Sequence, residues 1–138
     1  LESHITNLRP NKVPFKETVS IMSDVAEGLS YLHQRNPQIV HRDLASKNVL
    51  LTGTGQAKIA DVGLAKVFPP ESAMMYGSPT PGTQAYAAPE TFPNSHQDQV
   101  QYDIKIDIFS FGIILMEIIN GNLPSPSTDS PFSKGEYT

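Results

Sequence analysis

Apolar residues in this chain change their spacing several times between the two ends. From Pro14 to Gln34 the positions Phe15, Val19, Met22, Val25, Ala26, Leu29 and Leu32 recur at helical intervals, and Pro14 is placed to open the run. This predicts a long amphipathic helix over about 14–34. A shorter helix is expected over about 2–9, with the polar Asn11-Lys12 stretch as linker. Asn36-Pro37 ends the helical pattern. After it, Ile39-Val40, Val49-Leu50-Leu51 and Lys58-Ile59-Ala60 are short β-prone runs separated by polar turns, including Gly53-Thr54-Gly55. Between Val67 and Pro93 proline, glycine, serine and threonine crowd together without sustained period, which predicts an extended, mobile segment rather than packed structure. Helical character returns over about 103–120, apolar on nearly all sides, so this helix is expected at the buried centre, with Gly121 stopping it. The tail from Asn122 to Thr138, with Pro124, Pro126 and Pro131 among serines, has too little apolar content to pack by itself. There is no internal repeat.

Composition narrows the class. The chain has 138 residues, 38% hydrophobic and 17% charged, which suits one folding unit with a modest core. Ten basic and fourteen acidic residues give a formal net charge of −4, spread along the chain. No continuous positive surface results, so nucleic acid is not an expected partner. Cysteine is absent, which excludes a disulfide framework and a cysteine-based zinc site and favours a cytoplasmic setting, including the intracellular part of a larger or membrane-attached protein. The apolar stretch from Ile106 to Ile119 is interrupted by Asp107 and Glu117 and falls short of the roughly 20 residues a bilayer span needs, so no membrane segment is expected.

The candidate chemistry lies in His41-Arg42-Asp43-Leu44-Ala45-Ser46-Lys47-Asn48. An aspartate can take the proton of an attacking hydroxyl, and a side-chain amide oxygen five positions later offers a hard, neutral ligand to a magnesium ion that also holds phosphate oxygens. Phosphoryl transfer needs both. Five fixed letters at this spacing arise by accident on the order of once in a few million start positions. The stretch closely resembles the catalytic loop of eukaryotic protein kinases.

Three later motifs follow in the order that the resemblance requires. Asp61-Val62-Gly63 resembles the kinase Asp-Phe-Gly triplet, Gly82-Thr83 through Ala88-Pro89-Glu90 resembles the end of an activation segment (61–90), and Asp107-Ile108-Phe109-Ser110-Phe111-Gly112 resembles the start of the central helix of the large lobe. Carried over residue by residue, the resemblance implies Asp43 as acceptor of the substrate hydroxyl's proton and Lys47 as neutraliser of charge on the transferring phosphoryl group. It implies Asn48 and Asp61 as magnesium ligands, and Leu50 as the apolar floor beneath the adenine of ATP. Arg42 would pair with a phosphate on the activation segment, for which Ser72, Tyr76, Ser78 and Thr80 are candidates. Structural roles fall to His41, packed in the core to hold the loop, to Gly63 as a point of backbone rotation, to Glu90, and to Asp107 as acceptor of hydrogen bonds from the loop backbone. Thr83 would reach the catalytic aspartate.

The implied fold is α+β, mainly α: a protein-kinase-like large (C-terminal) lobe with the small lobe absent. No glycine-rich phosphate loop, strand lysine or partner glutamate is present in this sequence. The arginine that would pair with Glu90 belongs to helices beyond the matched region. Val62 replaces the usual phenylalanine and removes an aromatic ring from the apolar column that links the lobes. Substrate preference is mixed. Ala45 and Lys47 resemble tyrosine kinases, whereas Gly82-Thr83 with Tyr86 resembles the serine/threonine form, a combination found in the tyrosine-kinase-like group. The implied activity is ATP- and magnesium-dependent phosphorylation of protein Ser/Thr hydroxyls, Tyr remaining open. The alternatives are a pseudokinase-like interaction module and an inactive fragment.

Overall fold

The computed structural model describes residues 1–68, 75–77, 83–92 and 99–123. Ser72, Ser78, Thr80, Gly82 and the proline-rich tail from Pro124 onward lie outside the described residues, and Tyr76 enters through its backbone alone. Among the described residues, three helices and three two-stranded antiparallel sheets make a mainly helical α+β structure.

Helix α1 spans Glu2–Asn7 and ends before Pro10, which has no N–H to continue it. Helix α2 spans Phe15–His33. Pro14 stands just before its first turn and accepts the Thr18 N–H through its carbonyl at 2.9 Å. The face that α2 buries differs from the expected stripe. Thr18, Ile21, Met22, Val25, Leu29 and His33 point inward, while Phe15 is 84% exposed and Val19 also faces out. Val13, just ahead of the helix, fills the core beside Leu1 and Ile5, so the first turn projects past the packed region.

Strand β2 (Val49–Leu51) and strand β3 (Ala57–Ile59) form a hairpin against α2, with Asp24 Oδ2 accepting the Ala57 N–H at 2.8 Å. Strand β1 (Ile39–Val40) pairs instead with β4 (Lys66–Val67), so the stretch from 41 to 65, the β2–β3 hairpin included, is tied at its neck. Strand β5 (Met75–Gly77) pairs with β6 (Val100–Tyr102).

Helix α3 spans Lys105–Asn120. The Asp103 carboxylate accepts the Lys105 N–H at 2.7 Å, satisfying a donor at the helix start, and Gly121 takes the left-handed conformation (φ 78°) that closes its end. The expectation that α3 is buried on all sides is corrected. Ile106, Asp107, Ser110, Ile114, Glu117 and Ile118 are buried, whereas Ile108, Met116 and Ile119 are 48%, 47% and 52% exposed. The polar residues of this helix face inward because they carry hydrogen bonds, and apolar residues are left on the outside.

Two apolar clusters result. One joins α1, α2, β2, β3 and α3 through Ile5, Ile21, Val25, Leu44, Val49 and Ile114; the other joins Val40, Phe68, Ala88, Val100, Tyr102 and Ile106. The expectation that 67–93 is unpacked is therefore corrected at both ends. Phe68 is buried, and residues 83–92 form two 3₁₀ turns with Tyr86, Ala88 and Thr91 buried. Their polar backbone is satisfied by short-range turns, which leave no hydrophobic period to read.

Candidate active site

The tied stretch between β1 and β4 is organised by one buried carboxylate. Asp107, on the first turn of α3, accepts the His41 N–H (2.9 Å) and the Arg42 N–H (3.0 Å), and its Oδ2 also lies 2.8 Å from His33 Nε2 at the end of α2. A carboxylate 1% exposed is costly unless its lone pairs are filled, and here three donors fill them. One side chain thus joins α2, α3 and the loop.

His41 is fully buried and holds the loop from within. Its Nδ1 accepts the Asp43 N–H at 3.2 Å, so the ring proton sits on Nε2, which donates to Ala60 O at 3.0 Å. Ala60 in turn donates its N–H to Asn48 O at 2.8 Å. Asp61 therefore begins one residue beyond a point fixed to both His41 and Asn48. Asp61 is exposed and takes the left-handed conformation itself (φ 58°), its Oδ1 3.4 Å from the Gly63 N–H. The rotation expected at Gly63 is thus found at Asp61. At Gly63 a Cβ would stand 3.3 Å from Asp61 Oδ1, so glycine there gives the carboxylate room.

Asp43 is half-buried. Its Oδ1 accepts both the N–H (2.8 Å) and the hydroxyl (2.9 Å) of Thr83, and its Oδ2 accepts Asn48 Nδ2 at 3.1 Å. The same Nδ2 donates to Asp43 O at 2.8 Å. Both amide protons of Asn48 are directed to Asp43, and among the described residues its Oδ1 has no protein partner and is not sealed from solvent. The amide oxygen of Asn48 and the exposed carboxylate of Asp61 are each hard-oxygen donors of the kind magnesium takes with phosphate and water completing its shell. Among the described residues no cluster of three His, Cys, Asp or Glu side chains offers a metal an all-protein cage.

The remaining expected residues are more dispersed. Lys47 and Leu50 are exposed on the solvent side of the loop and of β2, Leu50 at 57%. Arg42 is buried, left-handed (φ 70°), with its guanidinium 5.3 Å from the centre of the Tyr102 ring. Burial raises the Tyr102 phenol pKa, and the Arg42 charge opposes that rise. Glu90 is exposed in a 3₁₀ turn and makes no ion pair among the described residues.

Three polar residues to which the motifs assign no part in the chemistry form a buried hydrogen-bonded group. Ser46 Oγ donates to Glu117 Oε1 at 3.1 Å, Tyr86 OH donates to Glu117 Oε2 at 2.7 Å, and the two hydroxyls are 2.9 Å apart. Burial, with the Glu117 carboxylate adding, pushes the Tyr86 phenol far above its ordinary range against the opposing Ser46 hydrogen bond, so Tyr86 stays a donor. Glu117 had a visible signal as a charge inside an apolar run. Tyr86 was marked only as part of the serine/threonine-like segment, and Ser46 had none.

The family model that matches this chain is "Protein kinase domain", over residues 1–136. Among curated proteins the chain is 39% identical over 124 residues to "Probable serine/threonine-protein kinase PBL26" of Arabidopsis thaliana, covering 88% of this chain and 29% of that protein. It is 38% identical over 126 residues to "Calmodulin-binding receptor-like cytoplasmic kinase 3" of the same plant, covering 90% and 24%. To "Cysteine-rich receptor-like protein kinase 10" of Oryza sativa subsp. japonica it is 37% identical over 114 residues, covering 82% and 17%. The chain thus spans less than a third of the length of these relatives.

Proposed function

The chain belongs to the protein kinase domain family, and from that premise we propose that it carries the catalytic-loop side of a site transferring the γ-phosphoryl group of ATP to serine or threonine hydroxyls of proteins. In this reading it is the large lobe of a kinase, without the small lobe, with the loop at 41–48, the Asp61-Val62-Gly63 turn and Thr83 facing one cleft. The observation that carries the reading is the Asp43 carboxylate, half-buried, fixed by Thr83 and Asn48, and tied through its backbone to His41 and thence to Asp107.

A carboxylate so held is an acceptor for the proton of an incoming hydroxyl without having to reorient. Lys47, exposed beside it, neutralises charge on the phosphoryl group in transit. Asn48 Oδ1 and the Asp61 carboxylate would hold magnesium, which when bound offsets the negative charge of the phosphate oxygens. Leu50 presents apolar surface to the adenine. Arg42 is proposed as the partner of an activation-segment phosphate, and His41, Gly63, Glu90 and Asp107 as supports of the loop. The Thr83 hydroxyl on Asp43 supports serine/threonine over tyrosine specificity, as do the names of the relatives. A cytoplasmic setting follows the same relatives; among the described residues no helix is long and apolar enough to cross a membrane.

In the full-length protein, Asp43→Asn is expected to abolish Mg-ATP-dependent phosphorylation of a serine/threonine peptide. Undiminished turnover would remove Asp43 as the base. A second reading, a pseudokinase-like interaction module, takes its support from Val62, an exposed valine where the family has phenylalanine. A magnesium-dependent thermal shift by ATP in the full-length protein separates the two, since the module predicts none.

A further inference from the structure

We propose that the Tyr102 ring seats the Arg42 guanidinium as an activation-segment phosphate would, so that order in the catalytic loop does not require phosphorylation of the segment; the proposal rests on Asp43 being the catalytic base. Arg42 stands next to Asp43 and is fixed at its backbone, with a left-handed φ of 70° and its N–H on Asp107 Oδ1 at 3.0 Å. The residue is buried, and an arginine keeps its charge inside a protein. A buried charge is tolerated only beside groups of complementary potential, and the face of an aromatic ring is one of these. The guanidinium carbon lies over the Tyr102 ring, 5.3 Å from its centre, within reach of a cation–π contact.

Tyr102 is itself a rigid support. It is 2% exposed and packs in the cluster of Val40, Phe68, Ala88, Val100 and Ile106. It ends strand β6, and helix α3, which carries Asp107, begins three residues later at Lys105. One short stretch of chain, 102–107, therefore holds Arg42 at both ends: the ring takes the guanidinium, and the Asp107 carboxylate takes the backbone N–H. In the register of the β5–β6 pair Tyr102 stands opposite Met75, so the ring meets the segment 61–90 where β5 runs through it. A phosphate on that segment would order the loop by charge, through the same guanidinium. The ring does so by packing and by the negative potential of its face, without modification. Tyr102 touches no reacting atom. It is a positioning residue that acts through Arg42 on the neighbouring Asp43.

The test uses the full-length protein, before and after phosphatase treatment carried on until mass spectrometry finds no phosphate on 61–90. Wild-type kcat toward a serine/threonine peptide is expected to stay within about threefold on treatment. In the treated protein, Tyr102→Leu, which keeps apolar bulk and loses the ring, is expected to lower kcat about tenfold or more with KM for ATP within about twofold. Tyr102→Phe keeps the ring face and is expected to stay within about threefold of wild type. A trifluorinated phenylalanine at the same position keeps the shape and drains the face of negative charge, so a kcat about threefold or more below that of Tyr102→Phe is expected even if Tyr102→Leu does not fold. A tenfold or greater loss of wild-type kcat on treatment overturns the independence from phosphorylation. Equal kcat for phenylalanine and its fluorinated form overturns the seat, as does a Tyr102→Leu protein as active as wild type. A wild-type protein that transfers no phosphate in either state removes the proposed function and this inference with it, whereas an active wild type with any of the other failures removes the inference alone.

Discussion

Two residues other than glycine hold left-handed backbone among the described residues, and both belong to the candidate site: Arg42 (φ 70°) and Asp61 (φ 58°). An L-residue in this region costs about 1–2 kcal/mol, less for Asp than for Arg, because Cβ crowds the following carbonyl oxygen. The surrounding hydrogen bonds over-determine Arg42, whose N–H is fixed on Asp107. Asp61→Gly is therefore expected to raise stability by roughly 0.5–1 kcal/mol in urea unfolding, while abolishing magnesium-dependent ATP binding by the full-length protein. A loss of stability would show that the Asp61 side chain holds the turn. Asp107 is the opposite case. Asp107→Ala leaves the buried His41 and Arg42 amides without an acceptor and is expected to cost about 3–5 kcal/mol, read as a lowered urea midpoint. At this scale the motifs pointed to Asp43, Asn48, Asp61 and Asp107 as candidates, because the implied chemistry demands those residue types at fixed spacing. The meeting of Ser46 and Tyr86 on Glu117 stayed hidden, since a serine and a tyrosine meet many needs and only the fold brings them together.

Among the elements, α3 departs furthest from its pattern. A run apolar on nearly every side left the inward face open to several choices, and hydrogen bonding decided it: Asp107, Ser110 and Glu117 needed buried partners, so the helix turned them inward and left Ile108, Met116 and Ile119 outside. Its end was legible. Gly121 donates its N–H to Glu117 O at 2.8 Å with φ 78°, and its own carbonyl accepts Arg9 Nε at 2.8 Å. Gly121→Ala is expected to cost about 1 kcal/mol, visible as a drop of several degrees in the thermal midpoint, with Gly121→Asn costing less. The hairpin of β2 and β3 was readable from two apolar runs around a glycine-rich turn. The β1–β4 pairing was not, because Ile39↔Val67 joins residues far apart in sequence through only two positions per strand.

Across the whole molecule, α3 contributes to both apolar clusters, Ile114 and Ile118 to one and Ile106 to the other, with Asp107 buried next to Ile106. Ile108, Met116 and Ile119 of α3 and Phe15 of the first turn of α2 leave apolar surface exposed. The isolated 138-residue chain is expected to bind a hydrophobic dye such as ANS, and the double substitution Met116→Lys with Ile119→Glu to reduce that signal without lowering the urea midpoint. Undiminished dye binding would place the accessible apolar surface elsewhere. What the residues determined by themselves was the candidate chemistry and the three helices, because side-chain type at fixed spacing and helical period are local properties. What only the folded chain decided was which face each helix buries, which distant strands tie the loop, and how Ser46 and Tyr86 come to meet on Glu117, because those depend on satisfying buried polar groups whose partners lie tens of residues away.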